Sequence, residues 1–156
     1  MPGNILWQSG APLSVTMMAS GQGVSLANTS ITPVSGIVYN NGESGALCFV
    51  GIAELISAAS GAFGGAVQPQ LPIDFYLVPI RDGTTPATAS ISGVSIGSYK
   101  GSFTSPISGN PVKMSMVIER INLLPIKYQG WIQNNTGQTL SSGWSLVLNC
   151  FQEAYT

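Results

Sequence analysis

Apolar and polar residues alternate with a period of two along much of this chain. The alternation recurs in separate runs at residues 73–77, 112–118, 126–133 and 144–150. Because successive side chains of a β-strand point to opposite faces of a sheet, each run predicts a strand with one face in a core. No segment keeps the apolar period of about 3.6 residues expected of a capped helix. We therefore expect little helix, with residues 54–59 as the best short candidate.

Turn-forming residues separate these runs. An Asp-Gly pair, which favours a tight turn, lies at Asp82 and Gly83, and a further turn is expected at residues 135–137. The runs amount to about eight strands with roughly regular spacing, which is typical of a β-sandwich. The sequence therefore predicts an all-β fold, an antiparallel β-sandwich that is jelly-roll-like and carries an extended N-terminal arm.

The expected domain organisation is simple. Residues 13–156 are predicted to form a single β-sandwich domain, and residues 1–12 are predicted to form the arm. Ile5, Leu6 and Trp7 are the main apolar cluster of that arm, so we expect it to contact another protein through them. The start of the chain lacks the basic region and apolar core of a secretory signal.

Charge is scarce in this sequence. Five basic and six acidic residues make up 7% of the 156 residues, and there is no histidine. Soluble globular domains usually carry about 25% charged residues. Residues 93–97 match the Gly-x-Ser-x-Gly pattern of a nucleophile elbow, but that arrangement needs a histidine base. We therefore expect no enzymatic activity, no catalytic residue and no cofactor.

The sequence also disfavours binding to nucleic acid, a membrane-spanning segment and a zinc site. The five basic residues are scattered along the chain, whereas binding to nucleic acid needs clustered cations. Residues 46–67 contain a single charge, Glu54, but they are rich in glycine and serine, so we expect a buried strand and a loop, not a membrane span. Cys48 and Cys150 have no neighbouring ligands for zinc. They are interpreted as small buried residues, with a disulfide across a long loop as the alternative.

Two of the three tryptophans lie in predicted strands. Trp144 is in phase with Leu146 and Leu148, so it is expected in the core. Trp131 is out of phase with the apolar residues of its own strand and lies on the polar face with Gln129 and Gln133. Tryptophan is enriched in the energetic centres of interfaces, so this position indicates a contact surface. Peripheral packing and a ligand-stacking platform are the alternatives.

Three blocks of the sequence carry a family resemblance. They are residues 73–84 (IDFYLVPIRDGT), residues 99–103 (YKGSF), and a C-terminal series that starts at residues 124–128 (LPIKY), continues through residues 133–140 (QNNTGQTL) and ends at residues 151–155 (FQEAY). In order and spacing this series resembles the capsid cement, or decoration, proteins of tailed bacteriophages, over about residues 46–155. The resemblance implies a jelly-roll-like sandwich, often trimeric, on the outside of an icosahedral shell. It also implies that six turn residues determine the fold: Asp82, Gly83, Asn134, Asn135, Thr136 and Gly137.

These observations predict a structural virion protein that binds the outside of a phage capsid and bridges major capsid subunits. The expected partners are the major capsid protein and further copies of the chain in a homotrimer, with synthesis in the host cytoplasm. The expected contacts are Ile5, Leu6, Trp7 and Trp131. The alternative is a phage fibre or lectin-like β-sandwich module that binds a host glycan, with Trp131 beside Gln133 and Asn134 as its platform.

Overall fold

Strands account for all the regular structure in the part of the chain that the computed structural model describes, which is residues 5–7, 13–40, 50–58, 61–67, 71–80, 99–104, 114–124, 126–151 and 153–155. The ten strands are β1 (Ile5–Trp7), β2 (Leu13–Met18), β3 (Ile31–Asn40), β4 (Val50–Ile56), β5 (Pro72–Ile80), β6 (Tyr99–Thr104), β7 (Ser115–Asn122), β8 (Lys127–Asn134), β9 (Ser145–Phe151) and β10 (Glu153–Tyr155). The short helix considered at residues 54–59 is wrong for its first three residues, which belong to β4.

Eight of these strands form two antiparallel sheets. Sheet one has the order β2-β9-β4-β7, and sheet two has the order β3-β8-β5-β6. Consecutive strands lie in different sheets, except that β5 and β6 are direct neighbours. Eight antiparallel strands that pass between two packed sheets in this way make a jelly roll. The predicted all-β, jelly-roll-like sandwich is confirmed.

One set of pairings among the described strands follows a simple rule. Each strand of the first half pairs with the strand equally far from the β5–β6 connection: β5 with β6, β4 with β7, β3 with β8 and β2 with β9. The series continues outside the sandwich, where β1 pairs antiparallel with β10 in the register Ile5↔Tyr155 and Trp7↔Glu153. The middle of the expected arm is thus paired with the C-terminal strand.

The core lies between the two sheets and is built by the alternating apolar positions. The predicted inward phases of residues 73–77, 114–118 and 144–150 are confirmed, and Trp144 is fully buried as expected. Phe75 and Phe103, from neighbouring strands, place their ring centroids 5.8 Å apart. The largest fully buried side chains are Trp144, Phe75, Phe103, Met17, Leu55, Ile73, Leu77, Ile121, Ile132, Leu140, Leu146 and Leu148.

A bulge on edge strand β6 determines what that strand shows to solvent. Phe75 pairs with Gly101 and Tyr76 pairs with Tyr99, so Lys100 is the extra residue. Gly101 has a φ of 144° and lies against Ile118 of β7, where a Cβ atom would meet the Ile118 Cγ2 at 2.6 Å. Glycine is required here because the edges of the two sheets approach closely. The bulge leaves Tyr99 and Ser102 on the outward face of sheet two.

Candidate functional site

The outward face of sheet one is nearly uncharged. Its central row runs straight across four strands, where Thr16 pairs with Val147, Val147 with Glu54, and Glu54 with Val117. Val117 is 49% exposed and is one of four large hydrophobic side chains that are exposed among the described residues. We call the following set the sheet-one face: Ser14, Thr16, Ile52, Glu54, Ile56, Ser115, Val117, Val147 and Asn149.

Glu54 is the single charged residue of the sheet-one face, and its carboxylate accepts a hydrogen bond. The Ser115 hydroxyl donates a hydrogen bond of 2.5 Å to Glu54 Oε1. Two further charges, Glu119 and Arg120, lie exposed on edge strand β7 at a bulge opposite Ile52, with Arg120 at a φ of 58°. Bulges and charges on an edge strand discourage pairing with further strands. The arrangement favours contact through the face of sheet one over contact through its β7 edge.

The outward face of sheet two carries a different chemistry. Asp74 pairs with Ser102 on one side and with Gln133 on the other, and in the next row Tyr76 pairs with Tyr99. The exposed ring of Tyr99 packs edge-on against Tyr76, with centroids 5.7 Å apart and planes at 62°. We call the following set the tyrosine patch: Asp74, Tyr76, Tyr99, Ser102, Gln133 and Asn135.

A chain of hydrogen bonds orients the tyrosine patch. The Ser102 hydroxyl donates to Asp74 Oδ1 at 2.5 Å, and the Asn135 amide donates to Asp74 Oδ2 at 2.8 Å. The Tyr99 and Ser102 hydroxyl oxygens are 2.6 Å apart. Because Ser102 has one hydroxyl proton and gives it to Asp74, the Tyr99 hydroxyl donates to Ser102. Both carboxylate oxygens are therefore held by neutral donors within the protein.

Tyr76 completes the patch as a neutral donor. Its hydroxyl donates to Gln133 Oε1 at 3.2 Å. Burial raises the pKa of Tyr76 above the ordinary value of 10.0, and the nearby Asp74 and Tyr99 raise it further. The phenol therefore keeps its proton at neutral pH, and this hydrogen bond persists.

Asn135 reaches the patch because a tightly bonded turn positions it. Its backbone N–H donates to the Pro72 carbonyl at 2.9 Å, which ties the turn to β5. The preceding residue, Asn134, is fully buried, and its amide donates to the carbonyls of Leu26 (2.8 Å) and Gln138 (2.7 Å). Asn134 Oδ1 accepts from the N–H and the hydroxyl of Thr136 at 3.1 and 2.7 Å.

Gly137 completes the network of predicted turn residues. Gly137 has a φ of 78°, a left-handed conformation that favours glycine, and its N–H donates to Asn28 Oδ1 at 2.8 Å. The structure thus brings four of the predicted turn residues into one network around residues 134–137. Asp82 and Gly83 lie outside the described residues.

Trp131 is buried instead of lying open on the outward face of sheet two. It is only 6% exposed and packs with Ile31 and Val78 in a small apolar cluster outside the main core. Its indole Nε1 and the Gln129 Oε1 are buried without a hydrogen-bond partner. The sequence showed the polar neighbours of Trp131 along its own strand, but not the apolar ones on adjacent strands. Its part in an interface stays a prediction.

The other predicted contact residues are described only as backbone. Ile5, Leu6 and Trp7 form β1, and their pairing with β10 places them beside the C-terminal strand.

Sequence reasoning missed the tyrosine patch, because its members lie up to about sixty residues apart along the chain. The signal that could have found it was the recurrence of tyrosine in the blocks at residues 73–77 and 99–103.

Cysteine and metal sites add little to this picture. Cys150 is buried at 1% exposure, and Cys48 lies outside the described residues, so their pairing stays untested. Within the described ranges, no group of three or more His, Cys, Asp or Glu side chains comes together in a way that could hold a metal ion. The same ranges contain no helix with the length and apolar character needed to cross a membrane.

Comparison with family models, curated proteins and solved structures finds no match to this chain. The two outward faces and the residue blocks of the sequence are therefore the features that bear on function.

Proposed function

We propose that this protein is a structural virion component that binds the outside of a tailed-bacteriophage capsid and bridges major capsid subunits. The observation that carries the proposal is the sheet-one face. Its one carboxylate, Glu54, is already bonded to Ser115, and its most exposed apolar side chain is Val117. Such a face has one carboxylate to desolvate, so another protein can cover it at a lower cost than a charge-rich surface would impose. The major capsid protein is the partner assigned to it.

The size of the face explains why a lattice would be needed. Four strands spaced about 4.8 Å apart and roughly 20 Å long present an area of about 400 Å². A standard protein interface buries about 800 Å² on each partner, so one copy of this face binds weakly. A homotrimer on a fixed lattice engages several such faces at once and gains avidity without new contacts. The resemblance to cement proteins supports the same assembly on the capsid exterior, after synthesis in the host cytoplasm.

The test places one charge on the proposed contact. Val117→Arg is expected to weaken binding to capsids stripped of the protein by at least about tenfold, because a long charged side chain and its cross-strand neighbour Glu54 would both have to be desolvated in the contact. Val24→Arg is the matched control, since Val24 is 56% exposed and lies outside the sheet-one face. Binding is measured by co-sedimentation with purified capsids, and both variants are first checked for unchanged thermal unfolding. Equal binding of the two variants would remove the sheet-one face from the proposal.

Salt dependence provides an independent test. A neutral interface should persist when NaCl rises from about 0.1 M to about 1 M, where the Debye length falls to about 3 Å. Release from capsids over that range would show that charged contacts dominate.

Deletion of residues 1–10 tests the arm in the same assay, and unchanged capsid occupancy would exclude Ile5, Leu6 and Trp7 as contacts.

The alternative function, glycan binding on a Trp131 platform, loses its main support. A stacking platform needs an open ring face, and Trp131 is 6% exposed. The exposed aromatic ring of sheet two is instead that of Tyr99, which is 45% exposed.

A further inference from the structure

We propose that the tyrosine patch is a binding site for a neutral saccharide. The site lies on sheet two, whereas the proposed capsid contact lies on sheet one, so this activity is additional to shell binding. A decoration protein that carried it would hold the particle to a polysaccharide surface through sheet two, with its sheet-one face on the shell.

The aromatic part of the patch suits a sugar ring. Tyr99 is 45% exposed on edge strand β6, and the edge-on contact with Tyr76 supports its ring from one side. An exposed tyrosine supplies a rigid apolar surface with little entropy to lose on binding. The C–H face of a pyranose is a ligand of matching size and polarity for a single tyrosine ring.

The polar part of the patch is fixed in advance. The two carboxylate oxygens of Asp74 accept hydrogen bonds from Ser102 and Asn135, so the carboxylate cannot rotate freely. A carboxylate oxygen accepts more than one hydrogen bond, so both oxygens can still accept from an incoming ligand. Two oxygens held at a constant spacing match a pair of adjacent sugar hydroxyls, and charge-assisted bonds of this kind are strong. Preorganisation lowers the entropy lost on binding.

The charge of the patch decides which saccharides fit. Asp74 is its single charged residue, so an anionic sugar would meet repulsion and no compensating cation within the patch. Neutral hydroxyl groups satisfy the carboxylate without that penalty. A cationic peptide is the competing ligand for an acidic site, and the patch disfavours it because Ser102 and Asn135 already stabilise the negative charge.

The experiment titrates the full chain with probes of different charge. Isotope-labelled protein is followed by amide NMR during addition of maltose, cellobiose and lactose, each to about 10 mM, which detects binding weaker than 1 mM. Sialyllactose and trilysine serve as the anionic and cationic probes. We expect saturable shifts at residues 74–76, 99–102 and 133–135 with at least one neutral sugar. Preferential binding of trilysine, or no shift with any neutral sugar, would overturn the proposal.

Three variants separate the roles within the patch. Tyr99→Ala removes the stacking ring, and Asp74→Asn removes the charged acceptor while keeping the shape; each is expected to lower affinity at least about tenfold. Tyr99→Phe keeps the ring and should lose less than Tyr99→Ala. Leu124→Ala, at a residue 64% exposed and outside the patch, is the control. If Tyr99→Ala binds sugar as well as the control does, the site lies elsewhere.

The capsid assay distinguishes this proposal from the proposed function. Patch variants should bind stripped capsids as the unaltered protein does, whereas Val117→Arg should bind saccharide normally. Loss of capsid binding in Asp74→Asn, with unaltered saccharide binding, would reassign the patch to the shell.

Discussion

The indole ring of Trp144 lies directly over the Cα atom of Gly23, in the space that a Cβ atom there would occupy. The two residues are also joined by their backbones, because the Gly23 N–H donates to the Trp144 carbonyl at 3.0 Å. The indole Nε1 donates to the adjacent Val24 carbonyl at 2.8 Å. The largest side chain of the core therefore depends on the absence of a side chain at Gly23.

Gly23→Ala should consequently destabilise the protein by about 3 kcal/mol, since the ring cannot move without losing its hydrogen bond and its packing. Denaturant unfolding measures the change, and the indole N–H signal of Trp144 in an NMR spectrum reports the displaced ring. Gly64→Ala is the control, because a Cβ atom there would lie 3.6 Å from Thr139, an ordinary contact. Equal stability of the two variants would contradict this account of the Trp144 site.

Asn134→Asp tests the buried turn. The change replaces an amide that donates to Leu26 and Gln138 with a carboxylate facing the same two carbonyl oxygens. We expect a loss of about 3 kcal/mol or more, because two hydrogen bonds disappear and a buried charge is left beside acceptors. Asn122→Asp, at an exposed position of β7, is the matched substitution and should change stability by less than about 0.5 kcal/mol.

Gly101 and Ile118 should show energetic coupling. Gly101→Ala places a methyl group against the Ile118 side chain and strains a backbone with a φ of 144°. Ile118→Ala opens space at that contact, so the double variant should be less destabilised than the sum of the single ones by about 1 kcal/mol. The cycle is measured by denaturant unfolding of all four proteins. Strict additivity would show that backbone strain alone accounts for the effect of Gly101→Ala.

High pH should weaken the fold through Tyr128. Burial raises its pKa above 10.0, an effect that outweighs the opposing hydrogen bond from the Leu124 N–H. A group whose folded pKa exceeds its unfolded pKa stabilises the fold below the unfolded value, and that contribution is lost as pH rises through the folded value. The contribution of Tyr128 to the free energy of unfolding should therefore be constant up to about pH 9 and fall above about pH 10.

The Tyr128→Phe variant isolates this contribution. It should be less stable than the unaltered protein at neutral pH by about 1 kcal/mol, because the hydrogen bond from Leu124 is lost. Its stability should then fall less steeply above about pH 10. Comparison within one pair of proteins is needed because burial lowers the pKa of Lys100, which has the opposite effect on the pH dependence. Identical slopes in the two proteins would exclude Tyr128 as the source.

The strands were predictable from the sequence because their signal is local. The alternation at residues 144–150 depends only on the nearest neighbours, so its inward phase is predictable without knowledge of any partner strand. The turn at residues 134–137 was equally visible in its residue types. What the sequence could not show is that Asn134 reaches the Leu26 carbonyl, since that contact joins positions 108 residues apart.

The candidate sites were less predictable for the same reason. The burial of Trp131 depends on Ile31 and Val78, which meet it only when β3 and β5 flank β8. The tyrosine patch needs the β5–β6 pairing, the β6 bulge and the turn after β8 together. Each of these is a non-local choice that a periodic pattern leaves open.

The nested pairing of the strands also determines how the molecule would carry a mechanical load. Because β1 and β10 are antiparallel neighbours, a force that pulls the two chain ends apart acts on the outermost pair first and opens its hydrogen bonds one after another. Only then would it reach β2 and β9. A force spread over a sheet face instead loads many hydrogen bonds and packing contacts together. A protein of this topology resists tension well only when it is held by its faces, and poorly when it is held by its ends.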